Sequence, residues 1–284
     1  MAEIKVITDS TSDIPANLIS ELEIEVLPVN IALDGTTYRD KVDIHSETFY
    51  RHMASYSKAY SQEISYMEYA YTYKSLVHRY DHLLIIHCSR LINRTYDNAV
   101  KVHEDFYHTH GCKVSLFDSG QCGLGLGLLV IEAARVVQAG YSFSQVTDQV
   151  RKNLDKVSSF FYVPSLKYLR KSRKISGLGK ALGSALRIRP VLTFSQGQIT
   201  LTSRLAGEHQ VMGEKFLQVI QQELGKEEIS NLGIAHALAP KMGEEIRDLM
   251  LRNFSCSNVY EAHLGISLGL HTGPGTVGVF YTGI

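Results

Sequence analysis

Hydroxyl and carboxylate side chains follow three predicted strands in the first half of the chain. The segments are Thr8-Asp9-Ser10-Thr11, His87-Cys88-Ser89 and Asp118-Ser119, and a fourth polar segment, His271-Thr272-Gly273-Pro274-Gly275, lies near the C-terminus. Small hydroxyl groups beside the backbone N–H groups of a helix start can bind a carboxylate or a phosphate. The same residue types also cap helices without binding a ligand. The segments therefore indicate either an anion site or ordinary helix capping.

The sequence does not contain the dinucleotide or zinc motifs that would specify a cofactor or a metal. Gly123-Leu124-Gly125-Leu126-Gly127 follows a predicted strand, but its G-x-G-x-G spacing differs from the dinucleotide fingerprint G-x-G-x-x-G. No H-E-x-x-H zinc motif is present in the sequence. We expect no cofactor and no metal. The alternative is an enzyme, a phosphotransferase or hydrolase of a small hydroxylated substrate, in which Asp9 and His271 would act beside hydroxyl groups.

Strand and helix patterns alternate through the first half, which predicts parallel strands covered by helices. We expect strands at 4–8, 26–33, 82–88 and 113–117, and helices at 46–56, 64–80, 95–108, 123–138 and 144–156. In the second half we expect a strand at 160–163, a hairpin of 188–194 with 198–202, strands at 229–237, 257–263 and 276–281, and helices at 209–224 and 241–253. These patterns predict a Rossmann-like α/β domain at residues 1–157 and an α+β domain at 158–284. A ligand would bind between them, outside the carboxyl ends of the parallel strands.

One face of the predicted helix at 64–80 is aromatic. Its residues are Tyr66, Tyr69, Tyr73, Leu76, Val77 and Tyr80. Such a face packs into a core with its phenol groups at the rim. It could also form a wall or lid over an apolar ligand. The sequence leaves both interpretations open.

The composition excludes several classes of protein. The 284 residues include 29 Lys+Arg and 29 Asp+Glu, so the formal net charge is zero and a nucleic-acid partner is not expected. The longest apolar stretch, 123–131, is shorter than the roughly 18 residues of a membrane span. The first residues do not resemble a signal peptide. The four scattered cysteines indicate reduced thiols. We expect a cytoplasmic protein without an integral membrane segment.

Five segments in the same order resemble motifs of the DegV family. They are Thr8–Pro15 (T-D-S-T-x-D-x-P), Tyr38–Ile44 (Y-R-D-x-V-D-I), Asp118–Gly127 (D-S-x-x-x-S-x-G-x-G), Leu182–Thr193 (L-G-x-x-L-x-I-K-P-I-L) and Leu270–Gly275 (H-T-G-P-G). The resemblance implies a two-domain protein that holds one long-chain fatty acid in an apolar tunnel between its domains. It also implies a non-catalytic role, in which the protein presents the fatty acid carboxylate to a separate ATP-dependent fatty acid kinase for acyl-phosphate formation.

The resemblance also implies which residues bind the carboxylate. Ser61, Ser89, His271 and Thr272 match residues of the family motifs. Three motifs differ in this chain: T-S-Q-P-S reads Tyr60–Ile64, S-S-x-L-S-G-T-Y reads Ser89–Tyr96, and G-G-R-I-S reads Ser172–Ser176. Tyr60, Arg90 and Lys174 thus replace the residues that the motifs would place there.

Tyr60 and Arg90 are candidate substitutes for the lost head-group ligands. Arg90 could bind the carboxylate through charge-assisted hydrogen bonds. Alternatively it could point to solvent, and the protein would then bind a different lipid or bind one without passing it to a kinase.

Overall fold

The computed structural model describes residues 3–106, 111–170, 175–176, 188–208, 211–225 and 228–283. Its strands are β1 Ile4–Asp9, β2 Glu25–Leu27, β3 Asn30–Leu33, β4 Thr36–Arg39, β5 Ala59–Gln62, β6 His82–His87, β7 Lys113–Asp118, β8 Val157–Tyr162, β9 Ile175–Ser176, β10 Ile188–Ser195, β11 Gln198–Ala206, β12 Ile229–His236, β13 Cys256–His263 and β14 Val277–Gly283. Its helices are α1 Ala16–Glu21, α2 Ser46–His52, α3 Tyr66–Val77, α4 Thr95–Phe106, α5 Leu124–Gln138, α6 Phe143–Asn153, α7 Leu166–Leu169, α8 Met212–Leu224, α9 Pro240–Asn253 and α10 Ile266–Thr272.

The first half of the chain forms a parallel sheet and a small antiparallel one. The parallel sheet has the order β2-β1-β6-β7. Helices cover both faces of such a sheet, so its central strands carry long apolar runs. Accordingly, Leu83 to Ile86 of β6 are all buried. The antiparallel sheet has the order β4-β3-β5 and carries Tyr60 and Ser61 on its edge strand β5.

The second half is built on a seven-stranded mixed sheet with the order β13-β12-β14-β8-β10-β11-β9. Its parallel pairs are β12 with β13 and β11 with β9, and its other pairs are antiparallel. Helices α8 and α9 supply an apolar cluster to this sheet, which includes Phe216, Ile220 and Ile246.

Helix α5 joins the two large sheets. It contacts β1 and β6 of the parallel sheet and β8, β12 and β14 of the mixed sheet. Ten of its residues are buried, and a Cβ at Gly127 would overlap the backbone oxygen of Ser12. The glycines of the G-x-G-x-G segment therefore serve close helix packing. None of the described helices combines the length and the apolar composition that crossing a membrane requires.

The predicted fold class, a parallel α/β sheet followed by an α+β part, is confirmed. The single strand expected at 26–33 is wrong: Pro28 lies between β2 and β3, which belong to different sheets. Proline lacks the N–H that a continuous ladder needs. The short strands β4 and β5 and the helix α10 were not predicted. The domain boundary after residue 157 stays a prediction.

Candidate functional site

A cavity of about 430 Å³ lies beside α10. We call it the α10 cavity. Its apolar and aromatic lining consists of Met53, Ala54, Tyr56, Ala59, Tyr60, Ile92, Tyr168 and Leu270. Its polar lining consists of Ser57, Ser61, Glu63, Asn93, Arg94, Lys167 and His271. Small-molecule sites commonly have about 300–1,000 Å³ and a mainly apolar wall with a few polar groups. The α10 cavity lies within this size range, nearly half of its lining residues are polar, and its walls come from both halves of the chain.

Helix α10 carries Leu270 and His271 to this cavity, and residues of the first half fix where the helix begins. The Tyr50 hydroxyl lies 3.0 Å from the Leu264 carbonyl oxygen and 3.2 Å from that of Gly265, so it can donate to either. The backbone N–H of Gly265 donates to Asp13 Oδ2 at 2.7 Å. A Cβ at Gly269 would overlap the Tyr50 phenol, so glycine is needed for this approach. These contacts hold α10 against α2. Met53, the residue that follows α2, lines the cavity.

Polar groups from the start of α4 and from α7 line the α10 cavity, and we call its polar lining residues the polar rim. Asn93 is buried, and its Oδ1 accepts hydrogen bonds from the backbone N and Oγ1 of Thr95, at 2.9 and 2.7 Å. The next residue, Arg94, donates through Nε to Asp97 at 3.1 Å. Lys167 reaches the same cavity from α7. The rim thus offers a side-chain amide and two cations to an anionic or polar head group.

A second cavity, of about 480 Å³, lies at the carboxyl ends of β6 and β7. We call it the strand-end cavity. The turn between β10 and β11 closes one side of it, because Ser89 Oγ donates to the carbonyl oxygen of Gly197 at 2.7 Å. Arg90 also lines this cavity, but its guanidinium forms an ion pair with Asp97 at 2.7 Å. The same guanidinium lies 5.8 Å from the ring centroid of Tyr96.

The structure separates the residues that the sequence grouped into one head-group site. Tyr60, Ser61 and His271 line the α10 cavity. Ser89 and Arg90 line the strand-end cavity. Thr272 is buried, and its hydroxyl donates to the Leu268 carbonyl oxygen within α10 at 3.2 Å. Lys174 lies outside the described residues.

Asp9, the carboxylate of the alternative enzyme hypothesis, is fully buried in a hydrogen-bond network. Its Oδ2 accepts from His87 Nδ1 at 2.9 Å and from the backbone N–H of Cys88 at 3.0 Å. His87 Nε2 lies 3.0 Å from the hydroxyl of Tyr69. Burial raises the pKa of Asp9, but the hydrogen bonds and the charge of His87 outweigh it, so the pKa is lowered overall. Asp9 lines neither cavity.

Tyr69 and Tyr73 of the aromatic helix face are also buried, with their hydroxyls bonded to His87 and to His103. The core-packing interpretation of this face is therefore confirmed for these two residues. Neither of them lines the α10 cavity or the strand-end cavity.

Neither a nucleophile elbow nor a metal cluster is found among the residues that the structure describes. Sequence reasoning overlooked a G-x-S-x-G segment, Gly265–Gly269, that follows β13 and begins α10. A catalytic serine in this motif is exposed on a strained turn. Ser267 is instead buried, and it has no positive φ. No three His, Cys, Asp or Glu side chains of the described chain are grouped to hold a metal.

Comparison with known proteins decides the family. A family model described as "Uncharacterised protein, DegV family" matches residues 3–283. The chain belongs to the DegV family. A DegV domain-containing protein of Caldanaerobacter subterraneus subsp. tengcongensis is 26% identical over 283 residues, with 99% of each chain covered. The DegV resemblance drawn from the five motifs is thus confirmed.

Solved structures of DegV proteins have the same fold. A fatty-acid-binding DegV protein of Thermus thermophilus superposes with a TM-score of 0.89 at 24% identity, covering 99% of this chain and 100% of that one. A stearic-acid-binding protein of Eubacterium ventriosum gives a TM-score of 0.86 at 22% identity, covering 99% and 98%. At these identities the comparison concerns the fold and does not by itself assign a ligand.

Sequence reasoning missed Asn93, Arg94, Lys167 and Tyr168 at the α10 cavity. A signal was present for Arg94, because it stands where the DegV motif S-S-x-L-S-G-T-Y has glycine. Replacing a glycine by the longest cationic side chain changes both volume and charge at that position. Lys167 and Tyr168 lie on the four-residue helix α7, which no periodicity could indicate.

Proposed function

We propose that this DegV protein binds one long-chain fatty acid in the α10 cavity. The observation that carries the proposal is the lining of that cavity, which combines apolar residues with a polar rim of Ser61, Asn93 and His271. Burying an acyl chain gains about 0.8 kcal/mol per CH₂ group. The fatty acid binding of the T. thermophilus DegV protein and of the E. ventriosum stearic-acid-binding protein supports the same ligand class.

In this proposal the carboxylate lies at the polar rim and the acyl chain lies along Met53, Ile92 and Leu270. Tyr60 is about half exposed beside the rim, at 53% of its full surface. A carboxylate held there would remain accessible from outside. We propose that the protein is a non-catalytic cytoplasmic carrier. It would present the carboxylate to a separate fatty acid kinase, with its ligand between the proposed domains 1–157 and 158–284.

Native mass spectrometry tests the ligand class. We expect the purified protein to carry one equivalent of a mass in the range of a long-chain fatty acid, which organic extraction identifies. Denatured protein serves as the control, because a covalent adduct would persist and a bound lipid would be lost. A protein that stays ligand-free after incubation with a panel of fatty acids would contradict the proposal.

The two cavities give different expectations for two similar serines. Ser61→Ala removes a hydroxyl from the α10 cavity and should weaken fatty acid binding about tenfold or more, because one hydrogen bond to a charged group is worth about 1.5–3 kcal/mol. His271→Ala should act in the same direction. Ser89→Ala removes the contact with Gly197 and should change the affinity less than twofold. Titration with a fluorescent fatty acid measures all three. An equal loss in Ser89→Ala would instead place the carboxylate in the strand-end cavity.

A further inference from the structure

Arg90 and Arg94 lie four residues apart in the segment between β6 and α4, and they share a single carboxylate. Arg90 Nη2 lies 2.7 Å from Asp97 Oδ1, and Arg94 Nε lies 3.1 Å from Asp97 Oδ2. The two side chains are similarly exposed, at 55% and 65%, whereas Asp97 is 14% exposed. Asp97 can neutralise one of the two cations, so the pair keeps one net positive charge.

The surroundings of the two guanidinium groups differ. The Arg90 guanidinium is held by Asp97 and also lies over the ring of Tyr96, and it borders the strand-end cavity. Arg94 borders the α10 cavity and contacts Asp97 through Nε. None of the residues that the structure describes accepts a hydrogen bond from its Nη1 or Nη2. These terminal nitrogens are therefore available to a ligand in the α10 cavity.

The charge at the rim favours an anion. Arg94 and Lys167 both line the α10 cavity, and Glu63 is the one acidic residue among the described lining residues. The charged lining residues thus sum to one positive charge. A guanidinium has parallel N–H groups that match the two oxygens of a carboxylate, whereas an ammonium acts as a point charge. Arg94 is consequently the better-shaped partner for a carboxylate.

We propose that Arg94, and not Arg90, binds the carboxylate of the lipid and selects acids over uncharged amphiphiles. This inference rests on the proposed function, because it assumes that the lipid occupies the α10 cavity. Arg94 is then the residue of this chain that supplies the charge-assisted contact.

The matched pair Arg94→Ala and Arg90→Ala tests the assignment. Each variant removes one partner of Asp97 and one exposed guanidinium, so their effects on folding should be similar, which thermal unfolding checks. The affinities for palmitic acid and for hexadecanol are measured on the full chain by displacement of a fluorescent lipid. We expect Arg94→Ala to weaken palmitate binding five- to tenfold, and more at low than at high salt. Its effect on hexadecanol, and both effects of Arg90→Ala, should stay below twofold.

The outcomes separate this inference from the proposed function. If the unsubstituted protein binds neither lipid, the proposed function fails and the inference fails with it. If it binds palmitate and Arg94→Ala binds palmitate equally well, the lipid remains but Arg94 does not hold its carboxylate. If Arg90→Ala shows the larger loss, the carboxylate lies in the strand-end cavity. An equal loss for palmitate and hexadecanol would mean that Arg94 contributes packing and no charge recognition.

Discussion

The His87→Ala variant is expected to lose about 3–5 kcal/mol of folding free energy, because it removes the side-chain partner of a buried carboxylate. His87 and Asp9 are both fully buried, and His87 Nδ1 lies 2.9 Å from Asp9 Oδ2. Without the imidazole, Asp9 keeps hydrogen bonds from Thr11 and Cys88 but loses its contact with His87 Nδ1. The Tyr69 hydroxyl loses its partner as well. Urea unfolding measures the loss.

His103→Ala is the matched control for this prediction. Tyr73 lies on the same helix α3 as Tyr69 and pairs with His103 of α4, whose Nδ1 lies 2.6 Å from the phenol oxygen. His103 is only half-buried, so water can replace its ring. We expect its removal to destabilise by about 1 kcal/mol. Equal losses of stability in the two variants would show that the buried carboxylate of Asp9 adds nothing to the cost of removing His87.

A double substitution keeps the prediction testable if His87→Ala does not fold. Asp9→Asn removes the buried charge, so the combination with His87→Ala should be less destabilised than the sum of the two single variants. Acid unfolding gives a second measurement. The pKa of Asp9 is lowered in the folded protein. Its contribution to stability is therefore present above the unfolded pKa near 3.8 and is lost as the pH falls through the folded value.

The sequence predicted the parallel sheet well because apolar runs and their polar ends are local signals. Leu83 to Ile86 and the following His87 are one example: the run is buried, and the polar residue lies at the carboxyl end of β6. The apolar pattern could not indicate which residue His87 contacts. His87 faces inward to Asp9, a partner 78 positions away in the chain. Such pairings depend on strand order, which periodicity does not contain.

The candidate site was harder to predict because two cavities contain the same kinds of residue. Ser61 and Ser89 both carry a small hydroxyl near the end of a strand. The Ser89 hydroxyl contacts the turn at Gly197, whereas Ser61 lines the α10 cavity. Helix α10 has seven residues, three of which are glycine, serine or threonine, so its helical period is not visible. Its position depends on Tyr50 and Asp13, which contact it from more than 200 residues away.

The Asp40→Asn variant is expected to be more stable than the unsubstituted protein at pH 7.5. Asp40 is buried, and its Oδ2 accepts a hydrogen bond from Ser10 Oγ at 2.7 Å. Burial raises its pKa to about 6; Lys41 and the Ser10 hydrogen bond oppose this rise, whereas the charges of Asp13 and Asp9 add to it. An asparagine can keep the bond from Ser10 through its own side-chain oxygen, and it carries no charge.

The sign of the pH dependence follows from that raised pKa. Between the unfolded value of 3.8 and the folded value of about 6, the folded protein binds a proton that the unfolded chain has released. The stabilisation that protonated Asp40 contributes is therefore fully present below pH 3.8 and is lost as the pH rises through about 6. A rise of about two pKa units corresponds to at most ~3 kcal/mol. We expect a gain of about 1–3 kcal/mol at pH 7.5 and none near pH 4.

Asp43→Asn provides the control, since Asp43 lies three residues away and has the opposite shift. Its pKa is lowered by hydrogen bonds from the Arg39 side chain and backbone and by the charge of Arg39, although burial opposes this. Removing that charge should not stabilise the protein at pH 7.5. Chemical denaturation at pH 4, 6 and 7.5 compares the three proteins. A loss of stability in Asp40→Asn at pH 7.5 would mean that Lys41 compensates the buried charge of Asp40.

The same variant also shows whether this acidic cluster influences the α10 cavity. Burial raises the pKa of Asp13 as well, and its carboxylate holds both Lys41, at 3.4 Å, and the backbone N–H of Gly265. Neutralising Asp40 removes a charge that repels that of Asp13, so Asp13 should ionise more readily and bind Gly265 more firmly. Fatty acid affinity at pH 6 should then be unchanged or higher in Asp40→Asn. A lower affinity would show that the charge of Asp40 is itself required to position α10.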